Sequence, residues 1–197
     1  MRDGLSRCDE GARGVTDDTA RAVVLLSRAG RPWARDRVSY VSDAVGRLTG
    51  CRLSHASLDV AGTTYTFMTP SGVVVRPRVA FERRAYELFE VGECTVDMGL
   101  MMSMIRNRRC KYDWAAIFSG IGYIYRERPL PVAPLRELHY TCASFVAHVC
   151  NVPAPGTSIV NRYTTARDIL RHFGFPQDDE RFAEPSSRRI PRSLTVR

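Results

Sequence analysis

The stretch Leu138-His139-Tyr140-Thr141-Cys142-Ala143-Ser144-Phe145-Val146-Ala147-His148-Val149-Cys150 decides how this chain is read. A Pro-bearing loop ends here, and an amphipathic helix is predicted to begin with a cysteine in its first turn. Phe145, Val146 and Val149 fall at helical spacing and would face a core. Thr141 has the chemistry of an N-cap, because its hydroxyl can accept one of the amide hydrogens left over at a helix start. Cys142 would then sit where those amides and the positive end of the helix dipole converge. That placement favours the thiolate, the nucleophilic form of the side chain. A nucleophile needs a base, and the rest of the sequence is read for one.

Working outward, length and composition set the frame. The 197 residues suit one domain with tails, and 44% hydrophobic content is enough for a core. Residues 1–16 are polar and aperiodic, and Asp3, Asp9 and Glu10 with no apolar segment argue against a secretory signal. The longest apolar run, Ala115 to Tyr125, falls short of the ~20 residues of a membrane span. A soluble, intracellular protein is the expectation. Cys8, Cys51, Cys94, Cys110, Cys142 and Cys150 are scattered, so reduced thiols are expected. There is no Cys-x-x-Cys pair, and His139, Cys142, His148 and Cys150 do not match a zinc spacing. No cofactor or metal is called for.

The net charge of +8 raises nucleic acid or an anionic surface as partners. Yet Lys111 is the only lysine among 29 basic residues, a bias that a GC-rich coding sequence also produces. The basic residues are dispersed, apart from Arg106-Arg108-Arg109 and the last residues, so charge alone does not decide a function. Residues 176–197, with Arg188, Arg189 and Arg192 among Ser and Pro, read as a basic tail.

Between the tails, residues 17–175 read as one α+β domain. Ala22 to Leu26 suits a buried strand, although its length also allows a helix. Val38, Val41, Val45 and Leu48, with Asp36 before and Gly50 after, predict an amphipathic helix. His55 to Val60, the turn Ala61-Gly62 and Thr63 to Met68 predict a β-hairpin. Val73-Val74-Val75 gives a third strand and Tyr86 to Val91 a fourth. Val96, Leu100, Met101, Met104 and Ile105 are read as one helix face, its methionines as core filler, and Tyr112 to Ser119 as a short helix. A last helix is predicted from Thr164-Thr165, with Asp168 completing a capping box, to Gly174. Together these imply an antiparallel sheet of about five strands packed against helices.

Of the four histidines, His139 would lie behind Cys142, His148 off its face of the helix, and His172 in the last helix. His55 opens a strand whose hairpin could hold its ring. A lone strand histidine is ordinarily a semi-buried structural residue. A strand His facing a helix N-terminal Cys is also the geometry of a thiol site.

The order of these pieces resembles the circularly permuted branch of the NlpC-type papain-like superfamily, which includes lecithin retinol acyltransferase-like enzymes, bacterial hydrolases and virus-encoded proteins. Thr49-Gly50-Cys51-Arg52-Leu53-Ser54-His55 resembles the approach to the base strand. His55 to Val60 with Gly62 resembles the strand and its turn, and Phe67-Met68-Thr69-Pro70 the end of the returning strand. Tyr140 to Val146 resembles the nucleophile helix, and Tyr163 to Leu170 the helix that follows it. The likeness runs loosely over residues 22–174. It implies a permuted papain-like fold with Cys142 as nucleophile and His55 as base, acting on a peptide, isopeptide or lipid substrate in the cytoplasm or nucleus, including that of an infected cell. One position departs from the pattern. Members usually carry a polar residue on the returning strand to orient the base, and Phe67 occupies that place here. Thr66 or Thr64 could serve if the register slips, whereas Asp59 is roughly 13 Å along the strand from His55. A missing orienter leaves open the alternative of an inactive module that binds nucleic acid or a protein through its arginines.

Overall fold

The computed structural model describes residues 19–29, 44–46, 49–83, 85–107, 109–126, 129–154, 156–176 and 179–183. Over these the chain is α+β. Five antiparallel strands form the main sheet: β1 (Thr19–Ala29), β2 (His55–Val60), β3 (Thr63–Met68), β4 (Gly72–Pro77) and β5 (Ala85–Asp97). Their order is β4-β3-β2-β1-β5, so β2 of the predicted hairpin is the central strand, β1 pairs beside it, and β4 and β5 form the edges. The short helix α1 (Arg78–Glu82) links β4 to β5. After β5 come α2 (Met98–Arg106), the two-residue strand β6 (Lys111–Tyr112), α3 (Trp114–Tyr125), β7 (His139–Tyr140), α4 (Cys142–Val149) and α5 (Ala166–His172). Strands β6 and β7 pair in parallel, apart from the main sheet.

Alternation in the hairpin explains where the core forms. Ala56 and Leu58 on β2 and Phe67 on β3 are fully buried and meet Phe145 and Val146 of α4. Phe67 is the hub, with ring centroids 5.9 Å from Phe145, 5.7 Å from Tyr140 and 6.2 Å from Tyr112. The turn at Ala61 and Gly62 has positive φ at both residues, 48° and 82°, as a tight two-residue hairpin requires. At Gly92 the β1–β5 pairing shifts register, and a Cβ there would lie 2.7 Å from the Phe173 ring. Glycine at this position lets the residue after α5 close against the sheet.

Several boundaries differ from the sequence reading. The segment 22–26 is a strand, and it extends to eleven residues. Val96 belongs to β5 rather than to the helix after it, because Asp97 ends the strand and caps α2 by accepting from the Leu100 amide. Tyr112 lies on β6, and the helix expected from Tyr112 starts at Trp114 and runs on to Tyr125. Of the helix expected over Val38 to Leu48, residues 44–46 are helical, while Val38, Val41 and Leu48 lie outside the described residues.

The folded body also passes the expected limit at residue 175. Phe182 is 4% exposed, packs 4.7 Å from Phe89 and 5.6 Å from Phe175, and its carbonyl accepts from the Arg52 amide. The segment expected as an N-terminal tail and most of the basic tail, residues 184–197, lie outside the described residues. Among the described residues no helix is long and apolar enough to cross a membrane.

Because the fully buried Phe67 ring contacts the β6–β7 pair and α4 from the sheet, Phe67→Ala should cost about 3–5 kcal/mol. A urea titration followed by circular dichroism would read this as a lower midpoint at unchanged slope.

Candidate active site

The two residues singled out in the sequence are brought together. Thr141 caps α4 as expected, its hydroxyl accepting from the Ser144 amide. Ser144 completes a capping box by accepting from the Thr141 amide at 2.8 Å. With both ends of that exchange buried, the first turn of α4 has a fixed direction, and Cys142 is carried to the start of β2. Its thiol points at the Ser54 carbonyl, 3.9 Å away.

Five influences act on this sulfur, which is 5% exposed as a residue. Burial raises the thiol pKa, since a thiolate loses its hydration. The charge of the His55 imidazole and a hydrogen bond from it oppose this. So do hydrogen bonds from the Ala56 amide and the Tyr112 hydroxyl. The balance leaves the Cys142 thiol below the ordinary cysteine value.

His55 is placed by its own strand and by the returning one. Its Nε2 lies 2.6 Å from the Thr66 hydroxyl, and the ring stacks near Phe81 of α1 at 6.5 Å. Thr66 is 2% exposed, and its hydroxyl also donates to the Ala56 carbonyl at 3.3 Å. The register explains the contact. Ser57 pairs with Thr66, so Thr66 stands one step diagonal from His55 on the same face of the hairpin. Phe67 points to the opposite face, into the core. Thr64, the other hydroxyl considered, lies opposite Asp59. Asp59 itself is engaged by Arg78 at 3.4 Å and is not the partner of His55. The remaining histidines are occupied elsewhere: His139 contacts the Glu137 carbonyl, His148 stacks on Tyr140, and His172 lies edge-on to Phe173.

Tyr112 was missed in the sequence as a site residue. It is delivered by β6, where the Lys111 amide donates to the Leu138 carbonyl at 2.7 Å and the Asp113 amide to the Tyr140 carbonyl at 2.9 Å. Tyr112 is therefore in register with Tyr140, two residues before Cys142. Burial and the neighbouring Cys142 charge push its phenol pKa far up, so the hydroxyl stays protonated and donates toward the sulfur. Asp113 anchors this arrangement. Its carboxylate is 1% exposed, caps α3 by accepting from the Ala116 amide, and takes two hydrogen bonds from Arg162 at 2.9 and 3.0 Å. An N-cap aspartate ahead of an apolar run was the available signal that the helix starts after Tyr112 rather than at it. Nothing local indicates that the strand before it pairs with β7.

Among the described residues no group of three His, Cys, Asp or Glu side chains is arranged to hold a metal ion. Comparison with protein-family models, curated proteins and solved structures finds no match to this chain.

The direction of the Cys142 shift gives a pH prediction. Alkylation of Cys142 by iodoacetamide should proceed at a pH where an ordinary thiol, near ~8.5, is still mostly protonated. In His55→Ala the largest lowering influence is gone and burial prevails. The midpoint of the rate-versus-pH curve, read by mass spectrometry of the Cys142 peptide, should then move upward. An unmoved midpoint would separate the two side chains electrostatically.

Proposed function

We propose that this protein is a cysteine-dependent hydrolase or acyltransferase that works through a thioester acyl-enzyme on an amide, isopeptide or lipid ester. The observation that carries the reading is the single cluster of a low-pKa thiol, an imidazole in contact with it, and a buried hydroxyl on the far side of that imidazole. The resemblance to permuted papain-like enzymes supports it by the order of the same two residues in the chain.

The chemistry follows from the donors and acceptors. Thr66 has one hydroxyl proton. Given to the Ala56 carbonyl, it leaves the oxygen lone pairs to accept Nε2–H of His55. In that tautomer Nδ1 is the free base, available to take the Cys142 proton. The thiolate attacks a substrate carbonyl carbon, and His55 returns the proton to the departing amine or alcohol. Negative charge on the carbonyl oxygen needs donors. The capping box engages the amides of Thr141 and Ser144, and the Cys142 amide donates to the Tyr112 hydroxyl oxygen, so the Ala143 amide, at the same helix start, serves the oxyanion. Tyr112 supplies a side-chain hydroxyl beside the same sulfur. Water or an acceptor then resolves the thioester, with His55 as base a second time.

Thr66 fills the orienting role that the pattern of this superfamily gives to a residue on the returning strand. The reading of an inactive module that binds nucleic acid or a protein rests on a missing orienter and on the basic tail; Thr66 stands in contact with His55, and the basic residues beyond 183 lie outside the described residues.

With p-nitrophenyl acetate the wild type should give a burst of p-nitrophenol and an acetylated Cys142 peptide. Cys142→Ala should lose both, and His55→Ala should lower the acylation rate by about 10²–10⁴-fold. Cys150→Ala should label as wild type does. Thr66→Val keeps the shape but removes the acceptor for Nε2–H, and a roughly 5-fold lower rate is expected from a lost hydrogen bond of about 1 kcal/mol. Labelling of Cys142→Ala equal to wild type would sink the proposal.

A further inference from the structure

A second sulfur pair lies outside this site. Cys94 on β5 faces Ala22 of β1 in the ladder, and Cys150 is the C-cap of α4. Their sulfurs are 2.8 Å apart, although 56 residues separate them in the chain. Both are partly buried at the margin of the core. Both are also held by backbone structure. Cys94 sits in the longest strand pairing of the sheet, with neighbours Glu93 and Thr95 both paired to β1. The Cys150 amide donates to the Val146 carbonyl at 3.0 Å, and the next amides, of Asn151 and Val152, return to the His148 and Ala147 carbonyls. A sulfur–sulfur bond measures about 2.05 Å, so closure of this pair asks for a movement of under ~1 Å.

We propose that Cys94 and Cys150 form a redox-modification site, a dithiol that a peroxide closes to a disulfide and a thiol reductant reopens. The two sulfurs divide the work. The Cys94 thiol is drawn below its ordinary value by the hydrogen bond from Cys150, while the same contact and burial push the Cys150 thiol up. Cys150 stands at the C-cap of α4, where the negative end of the helix dipole disfavours a thiolate, so Cys94 takes the part of the attacking thiolate and Cys150 that of the resolving thiol. The Cys94 thiolate attacks one oxygen of hydrogen peroxide. The O–O bond breaks, and the departing hydroxide takes up the proton that Cys94 gave up, forming water. Cys94 is then a sulfenic acid. The Cys150 sulfur attacks the Cys94 sulfur, the S–O bond breaks, and that hydroxide leaves as a second water with the Cys150 proton. The two sulfurs together lose two electrons, and the peroxide gains them.

The closed form fastens the end of α4 to the edge strand of the sheet. Eight residues of helix separate Cys142 from Cys150, about 12 Å at helical rise, so the crosslink leaves the Cys142 sulfur unmodified. This inference is independent of the proposed activity. It concerns the opposite end of the helix and would stand if Cys142 proved inert.

The test uses the full chain carrying Cys142→Ala, which removes the competing low-pKa thiol. Graded hydrogen peroxide, iodoacetamide quenching and peptide mass spectrometry should yield a Cys94–Cys150 crosslinked peptide with the intact mass lower by two hydrogen atoms. Dithiothreitol should reverse it. The oxidised protein should melt on the order of 5–10 °C higher, as expected for a bridge closing a loop of this length. Adding Cys94→Ser or, separately, Cys150→Ser should abolish both the mass loss and the shift. The crosslink readout needs neither of these variants to fold. Recovery of Cys94 and Cys150 as separately alkylated peptides would overturn the proposal. So would their recovery as separate sulfinic or sulfonic acids with no crosslinked form at any dose.

Discussion

The site depends on keeping a thiolate stable where there is almost no water. A buried sulfur anion has lost its hydration, and the protein must replace it with donors fixed in advance. Three do so at Cys142: the His55 imidazole, the Ala56 amide and the Tyr112 hydroxyl. Each comes from a different piece of chain, a strand side chain, a strand backbone and a short accessory strand. None would help if its carrier could drift, because a hydrogen bond fades steeply once distance and angle depart from ideal. The architecture can be read as the set of restraints that prevents this drift.

Phe67 and the capping box of α4 are the principal restraints. Phe67 touches Tyr112, Tyr140 and Phe145, so one ring fixes the accessory strands and α4 on the same hairpin that carries His55. The Thr141–Ser144 box fixes the helix start, which sets where the sulfur goes. Asp113 and Arg162 do the same for β6. A carboxylate this buried is tolerable because a guanidinium and an amide satisfy it, and the result is a rigid anchor one residue from Tyr112. Packing and polar satisfaction thus converge on a few ångströms around one atom.

How much of this the sequence disclosed depends on whether the signal was local. The hairpin, the Thr141 cap and the Thr165–Asp168 box are written within short windows, and each was legible. The five-stranded antiparallel sheet followed from alternation in those windows. Pairings between distant segments were not legible. Nothing in Lys111-Tyr112 announces a parallel partner at His139-Tyr140, so Tyr112 was assigned to a helix. Phe182 lies in a polar, Pro- and Arg-bearing stretch, and its burial against Phe89 and Phe175 is a tertiary contact without a periodic signature. The partner of the His55 ring was half visible. The alternation of β3 put Phe67 and Thr66 on opposite faces, but only the Ser57–Thr66 register says which of them meets His55.

That choice of a hydroxyl has a chemical consequence. A carboxylate behind the base would hold the ring and also stabilise its positive charge once it has taken the thiol proton. Threonine holds the ring but brings no charge, and here its own proton is engaged by the Ala56 carbonyl. Stabilisation of a thiolate–imidazolium pair must then come more from the sulfur side. The sulfur side is where this site is rich, with an amide from Ala56 and a phenol from Tyr112 directed at the anion. A neutral partner for His55 and a sulfur surrounded by donors are complementary solutions, and together they account for a thiol held below its ordinary value despite near-complete burial.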